Sequence, residues 1–184
     1  TVQGRPAPYV IPMGGTTPLG ATGFVEAAFE LREQIESGGA PAPDIIYVPL
    51  GTMGTAAGLH LGCRAAGLTA TVTAVRVVPE QMTNEDAYRT LYAAIAGYLH
   101  GLDSAFPALA CAPDDLDIRH DRFGEGYGVP TADGTAAVRL MADTEGVKLE
   151  TTYTCKTVAA LIGDAESGAL DGKTVLYWET LSAG

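Results

Sequence analysis

From residue 21 the chain alternates between apolar positions at helical spacing and short β-branched runs, the pattern of β-α-β units laid on a parallel sheet. Phe24, Ala27, Ala28, Leu31 and Ile35 fall on one helical face, and Ser37-Gly38-Gly39 closes that helix. After the turn Ala40–Pro43, the run Ile45-Ile46-Tyr47-Val48 reads as a buried strand. A second strand, Thr71 to Val78, follows the glycine-containing helix between them. Thr83 to Asp86 is an acidic variant of the capping box, ahead of a helix with Leu91, Ile95 and Leu99 on one face and His100-Gly101 at its end. The rhythm continues with a strand at Asp117–His120, a glycine-rich loop through Pro130, and a helix from Asp133 to Glu145. A helix over Thr157–Ala165 and a strand over Val175–Trp178 finish it. No internal repeat, low-complexity tract or linker divides the chain.

The first residues differ. Pro6, Pro8, Pro12, Gly14 and Gly15 surround only a short strand-like Tyr9-Val10-Ile11. Residues 1–20 therefore read as a connecting segment arriving from elsewhere, and 21–184 as the α/β body. An α/β domain more often opens directly into a strand of its own sheet, so this entry implies that something upstream is absent.

Composition narrows the function classes. Of 184 residues, 47% are hydrophobic and 18% charged, with 22 acidic against 11 basic side chains and a net charge of −11. Mean hydropathy is +0.14. A charged fraction below the roughly 25% of ordinary soluble domains argues against disorder and for extensive burial or a large apolar interface. The lysines are Lys148, Lys156 and Lys173 alone, and the arginines are scattered singly, so no basic patch exists to neutralise a nucleic-acid backbone. No run approaches the roughly 20 apolar residues of a membrane span, and no basic start precedes an apolar stretch. Cys63, Cys111 and Cys155 are odd in number and far apart, which suggests neither disulfides nor zinc and favours a reducing cytoplasm. His60, His100 and His120 lack ligand spacing, so no metal site is expected.

The most informative local feature is the strand ending at Leu50, followed by Gly51-Thr52-Met53-Gly54-Thr55 and an alanine-rich helix. Such a turn lets backbone N–H groups converge, and the helix start carries roughly half a unit of positive charge, together an anion site for which phosphate is the expected occupant. Net acidity does not preclude it, because surface charges are screened beyond about 10 Å. The run matches neither G-x-G-x-x-G nor the Walker lysine pattern, and a tight strand-to-helix turn with no ligand is the plain alternative. Three further clusters sit at ends of elements, where open α/β sheets bind ligands: Gly124–Pro130 around Tyr127, Thr152-Tyr153-Thr154-Cys155-Lys156, and Glu179-Thr180-Leu181-Ser182.

The order of these motifs resembles that of the pyridoxal-phosphate-dependent family containing 1-aminocyclopropane-1-carboxylate deaminase and D-cysteine desulfhydrase, members of the tryptophan-synthase-β-like fold. The marks are Tyr9-Val10-Ile11-Pro12-Met13-Gly14-Gly15-Thr16 with Leu19-Gly20, the Gly51–Thr55 loop, Glu125-Gly126-Tyr127-Gly128-Val129-Pro130, and Glu145-Gly146 leading to Tyr153-Thr154-Cys155-Lys156. The likeness covers essentially the whole chain. It implies a three-layer α/β architecture, an open, mostly parallel sheet flanked by helices, as in the large domain of a fold-type II enzyme.

The resemblance also implies roles. Backbone N–H groups of Gly51, Thr52, Met53, Gly54 and Thr55 would hold the phosphate of pyridoxal 5'-phosphate, with Met53 narrowing a loop that often has glycine there. Tyr127 and Tyr153 would be the two active-site tyrosines, Thr154 would sit beside them, and Thr180 would meet the pyridine nitrogen as a neutral partner. Glu179 stands where histidine is expected, and Leu181-Ser182-Ala183 replaces glycines. The family's Schiff-base lysine and its Ser-Asn-His-type segment lie upstream of Thr1. Lys148 and Lys173 fall in surface turns, and Lys156 occupies a position the family does not use for the imine.

The resulting expectation is the C-terminal, cofactor-binding part of a lyase or deaminase acting on a small amino acid, inactive as this chain alone. A homodimer, or pairing with a missing N-terminal half, is expected because removal of that half would uncover apolar surface and a sheet edge. The alternatives are a non-catalytic anion-binding or interaction module and an unrelated mononucleotide-binding α/β domain.

Overall fold

Ile45–Leu50 forms the central strand β1, and its apolar run is explained by burial on both faces. Ile46, Val48 and Leu50 face one layer of helices, while Tyr47 packs with Val75 and Ala160 on the opposite face. The computed structural model describes residues 8–180, so Leu181, Ser182 and Ala183 lie outside the described residues, as do the first seven of the connecting segment. Around β1 the described elements are α1 (Pro18–Glu36), α2 (Gly54–Ala66), β2 (Thr71–Arg76), α3 (Glu85–Leu102), β3 (Asp117–Arg119), α4 (Ala132–Glu145), α5 (Thr154–Glu166) and β4 (Val175–Tyr177).

All pairings are parallel, in the order β3-β2-β1-β4. Helices α1, α2 and α3 share the core on one face of the sheet, and α5, backed by α4, covers the other. This is the expected three-layer α/β architecture. The chain moves outward from β1 through β2 to β3, then returns through α4 and α5 to lay β4 on the far side of β1. The order therefore reverses between β1 and β4, and in an open α/β sheet the carboxyl ends at such a reversal frame a crevice. The β1–β4 ladder ends at Tyr47↔Tyr177 and a last bond from Trp178 N–H to the Tyr47 carbonyl. Pro49 lies just beyond, with no N–H to add another rung.

Helix α1 meets α2 at unusually close range. Gly54, Gly58 and Gly62 recur every fourth residue and so lie on one face of α2. A Cβ on Gly58 would fall 2.7 Å from the Ala21 carbonyl oxygen, and one on Gly62 would fall 2.6 Å from that of Val25. The missing side chains are what let α1 approach.

Several boundaries differ from the sequence expectation, among them the end of β2, which stops at Arg76, two residues short of Val78. Tyr9-Val10-Ile11 is not a strand: the three side chains are 73–79% exposed and pair with no neighbour in the sheet. Helix α1 begins at Pro18, where Thr17 Oγ1 accepts the Gly20 N–H at 2.9 Å, so residues 18–20 are its first turn. Its buried stripe is Ala21, Val25, Ala28 and Leu31, with Phe24, Ala27 and Ile35 at the margins. The cap of α3 is Asn84, which accepts from the Ala87 N–H at 3.0 Å; Thr83 is fully buried and donates to the Gly51 carbonyl. Finally, α5 starts at Thr154, three residues early. The Glu150 carboxylate supplies the reason, accepting the N–H groups of Thr152, Tyr153 and Thr154.

Candidate functional site

At the reversal between β1 and β4 lies a cleft of about 610 Å³, a size suited to a small-molecule ligand. Its base is the loop Gly51–Met53 and the first turn of α2. The first main-chain bond of α2 runs from Ala57 N–H to the Met53 carbonyl at 2.9 Å, so the N–H groups of Gly54, Thr55 and Ala56 have no acceptor within the helix. They and the positive end of the helix point where an anion would sit. The start of α5, by contrast, is already occupied by the Glu150 carboxylate.

Met53 caps α2 with φ 74° and is the only non-glycine residue at positive φ among those described. A left-handed backbone costs an L-residue about 1–2 kcal/mol, and a β-branched side chain tolerates it least. Met53 already carries that cost, and Met53→Val adds a branched Cβ to it, so a further loss of stability is expected, read as a lower urea midpoint at unchanged slope.

A second glycine-rich segment closes the cleft from the side. Thr16 Oγ1 donates to Thr52 Oγ1 at 2.6 Å, and Gly14 (φ 67°) sits so close that a Cβ there would come within 2.1 Å of the Thr52 hydroxyl. Met13, Phe24, Val78, Pro79 and Met82 add apolar wall. No charged side chain lines the cleft among the described residues. An anion here would meet N–H groups, the hydroxyls of Thr16, Thr52 and Thr55, and the helix end.

Tyr127 and Tyr153 stand together at the mouth, their hydroxyls 2.7 Å apart and their rings at 81° with centroids separated by 6.1 Å. Tyr153 lies against Gly51, where a Cβ would meet the ring at 3.1 Å. Burial, the Tyr127 hydrogen bond, and the charges of Tyr127 and Glu150 push the Tyr153 phenol up to about 12. At neutral pH it is protonated and able to donate. Thr180, just past β4, also lines the cleft.

The fold thus brings together Gly51, Thr52, Met53, Gly54, Thr55, Tyr127, Tyr153 and Thr180, all named from the sequence. Thr154 is elsewhere: it is fully buried, and its hydroxyl accepts the Glu150 N–H at 2.9 Å and does not line the cleft. Adjacent helix positions point about 100° apart, so Tyr153 can face the cleft while its neighbour faces the core. Gly14, Gly15 and Thr16 were visible as a motif but had no assigned role. Lys148, Lys156 and Lys173 do not line the cleft; Lys156 is wholly buried, its Nζ 2.7 Å from the Phe123 carbonyl. Among the described residues no group of three or more His, Cys, Asp and Glu could hold a metal ion, and no helix is long and apolar enough to cross a membrane.

Comparison with known proteins bears on the same features. The chain is 39% identical over 177 residues to a D-cysteine desulfhydrase of Klebsiella pneumoniae (strain 342), covering 94% of this chain and 50% of that protein. A D-cysteine desulfhydrase of Salmonella newport (strain SL254) is 36% identical over 174 residues with the same coverage. Among solved structures, an ACC deaminase homologue superposes with a TM-score of 0.76 at 26% identity, over 92% of this chain and 48% of that one. The chain spans about half the length of the relatives it matches. The family model described as pyridoxal-phosphate dependent enzyme matches residues 2–180, a span that takes in the Gly51–Thr55 loop, both cleft tyrosines and Thr180. With that match over nearly the whole chain and the fold-type II architecture of its neighbours, the chain belongs to the pyridoxal-phosphate dependent enzyme family.

Proposed function

We propose that these residues are the cofactor-phosphate-binding part of a pyridoxal-phosphate-dependent lyase or deaminase acting on a small amino acid, of the D-cysteine desulfhydrase or aminocyclopropanecarboxylate deaminase type. The supporting observation is the cleft itself: an open helix start with converging N–H groups, three threonine hydroxyls and a paired-tyrosine mouth, free of charged side chains. Gly51, Thr52, Met53, Gly54 and Thr55 would hold the phosphate, and Thr180 would offer its hydroxyl to the ring nitrogen. Bound pyridoxal phosphate supplies an electron-withdrawing ring that eases loss of a proton or leaving group from the amino acid. The hydrogen-bonded phenols of Tyr127 and Tyr153 orient the substrate and pass a proton at their hydroxyl oxygens, Tyr153 entering as the donor. Met82, Pro79 and Phe24 give the cleft an apolar wall that would exclude water from a bound ligand. In this reading the connecting segment runs directly into α1, whose first turn is residues 18–20, and the chain from there to 184 is the phosphate-binding body. The free thiols, with Cys63 and Cys155 buried, suit a reducing cytoplasm.

Among the described residues no lysine lines the cleft, so the amine with which the cofactor's aldehyde pairs would come from outside these 184 residues, through a longer chain or a partner. By itself the chain binds phosphate without turnover, which is also how a non-catalytic anion-binding module would behave. Incubation with pyridoxal phosphate, borohydride reduction and peptide mapping is expected to find no cofactor on Lys156, with any adducts confined to exposed Lys148 and Lys173. Stoichiometric labelling of Lys156 would refute an external amine. Failure of both pyridoxal phosphate and inorganic phosphate to bind would refute the cleft as the phosphate site.

A further inference from the structure

Lys156, the third residue of α5, is fully buried and lies outside the cleft, yet its ammonium is bonded to the main chain that leads into cleft-lining Tyr127. Nζ donates to the Phe123 carbonyl at 2.7 Å and contacts the Gly126 carbonyl at 3.4 Å. It also lies 5.5 Å from the centroid of the Phe123 ring. Arg76, the last residue of β2, stands over the same ring at 4.8 Å. Its guanidinium donates to the Val78 carbonyl at 2.6 Å and to His120 Nδ1 at 2.8 Å. Phe123 is thus shared by two cations, Arg76 bonded to the carbonyl of cleft-lining Val78 and Lys156 to main chain that ends one residue before cleft-lining Tyr127.

Burying an ammonium is costly unless its donors are satisfied. Among the described residues no carboxylate lies within 4.0 Å of Lys156 Nζ, so carbonyls and an aromatic face take the place of an ion pair. The carbonyls it engages bracket the turn Gly124-Glu125 and end one residue before Tyr127. That stretch needs an anchor: Gly124 and Gly128 both adopt positive φ, and glycine imposes little conformational preference of its own. Tyr153 is three residues before Lys156, so the start of α5 reaches both halves of the tyrosine pair, one directly and one through the lysine.

We infer that Lys156 is a positioning residue for the cleft: by tying down the Phe123–Gly126 main chain it holds the Tyr127 hydroxyl against that of Tyr153. Its functional weight rests on the proposed role of the two tyrosines, whereas the geometry can be tested without cofactor. Tyrosine labelled with carbon-13 at Cζ, followed by NMR at about pH 10, separates a phenol held near 12 from one near its ordinary 10. Signals are assigned with Tyr127→Phe and Tyr153→Phe. In the unaltered chain the Tyr153 signal should stay at its protonated position; in Tyr127→Phe it should move toward the ionised one. Lys156→Met should produce the same movement, and adding Lys156→Met to Tyr127→Phe should produce no more. Lys156→Gln, which retains a shorter donor, should move the signal less, and it decides the matter if the methionine variant does not fold. A folded Lys156 variant with an unmoved Tyr153 signal, or a shift that adds in full to that of Tyr127→Phe, would overturn the inference. Loss of phosphate binding by the unaltered chain would sink the cofactor reading and leave this result standing.

Discussion

Thr55→Asp is expected to weaken binding of pyridoxal phosphate and of inorganic phosphate by about 100-fold while leaving the melting temperature unchanged or slightly raised. Thr55 is the second residue of α2, where the helix has N–H groups without intrahelical acceptors. A carboxylate there complements the helix dipole and contributes about 0.3–1 kcal/mol to stability. The same carboxylate competes for the donors an anion needs and repels the anion itself. A unit charge about 5 Å from a phosphate dianion costs several kcal/mol at an effective dielectric of about 20, and about 2.7 kcal/mol already amounts to 100-fold. The chain contains its own precedent, since the Glu150 carboxylate already fills the start of α5. Thr55→Asn, neutral and of similar shape, should bind much more tightly than Thr55→Asp. Calorimetric titration with both ligands reads the effect. An unchanged affinity in the aspartate variant would remove the start of α2 from the site, and a parallel fall in stability would show unfolding in place of charge repulsion.

What could be read in advance divides along the range of the interactions involved. Strand β1 was legible because a strand covered on both faces is apolar along its length, as Ile45–Leu50 is, and β2 because Thr71–Val75 is mostly β-branched. The turn Gly51–Thr55 was legible because its chemistry is local: a strand end, a glycine turn and a helix start are consecutive in sequence. The start of α5 was misplaced because the group that stabilises it, Glu150, lies outside the helix and acts only once its carboxylate folds back over three N–H groups. Thr83 looked like a cap because a threonine with an acid three residues on, here Asp86, fits the capping-box pattern; a long-range bond to the Gly51 carbonyl claimed it instead. Gly14–Thr16 carried no role for the same reason, since the contact with Thr52 joins residues 36 apart. Lys156 was the least legible. Hydropathy places a lysine at the surface, and only the carbonyls of a distant loop make its burial tolerable.

Gly62→Leu should cost the fold about 3 kcal/mol or more, the largest stability loss expected of any substitution considered for this chain. A Cβ at Gly62 would meet the Val25 carbonyl oxygen at 2.6 Å, the Ala28 Cβ at 2.7 Å and the Val25 Cα at 2.9 Å. Two of these are main-chain atoms of α1, so no rotamer change relieves them; the helices must part, and overpacking of a rigid core is penalised accordingly. Parting them reaches the cleft, because α1 follows directly from the Gly14–Thr16 segment that meets Thr52. Phosphate affinity should therefore fall along with stability, whereas Thr55→Asp affects affinity alone. Gly97→Ala in α3 serves as the opposite case: nothing lies within 4 Å of its Cβ position, and relief of glycine's helix penalty should stabilise the chain by about 0.5–1 kcal/mol. Urea unfolding of the two variants should show midpoints displaced in opposite directions from the unaltered chain. Equal midpoints would mean that α1 and α2 stand far enough apart to admit side chains, and that the close glycine face does not set the width of the cleft.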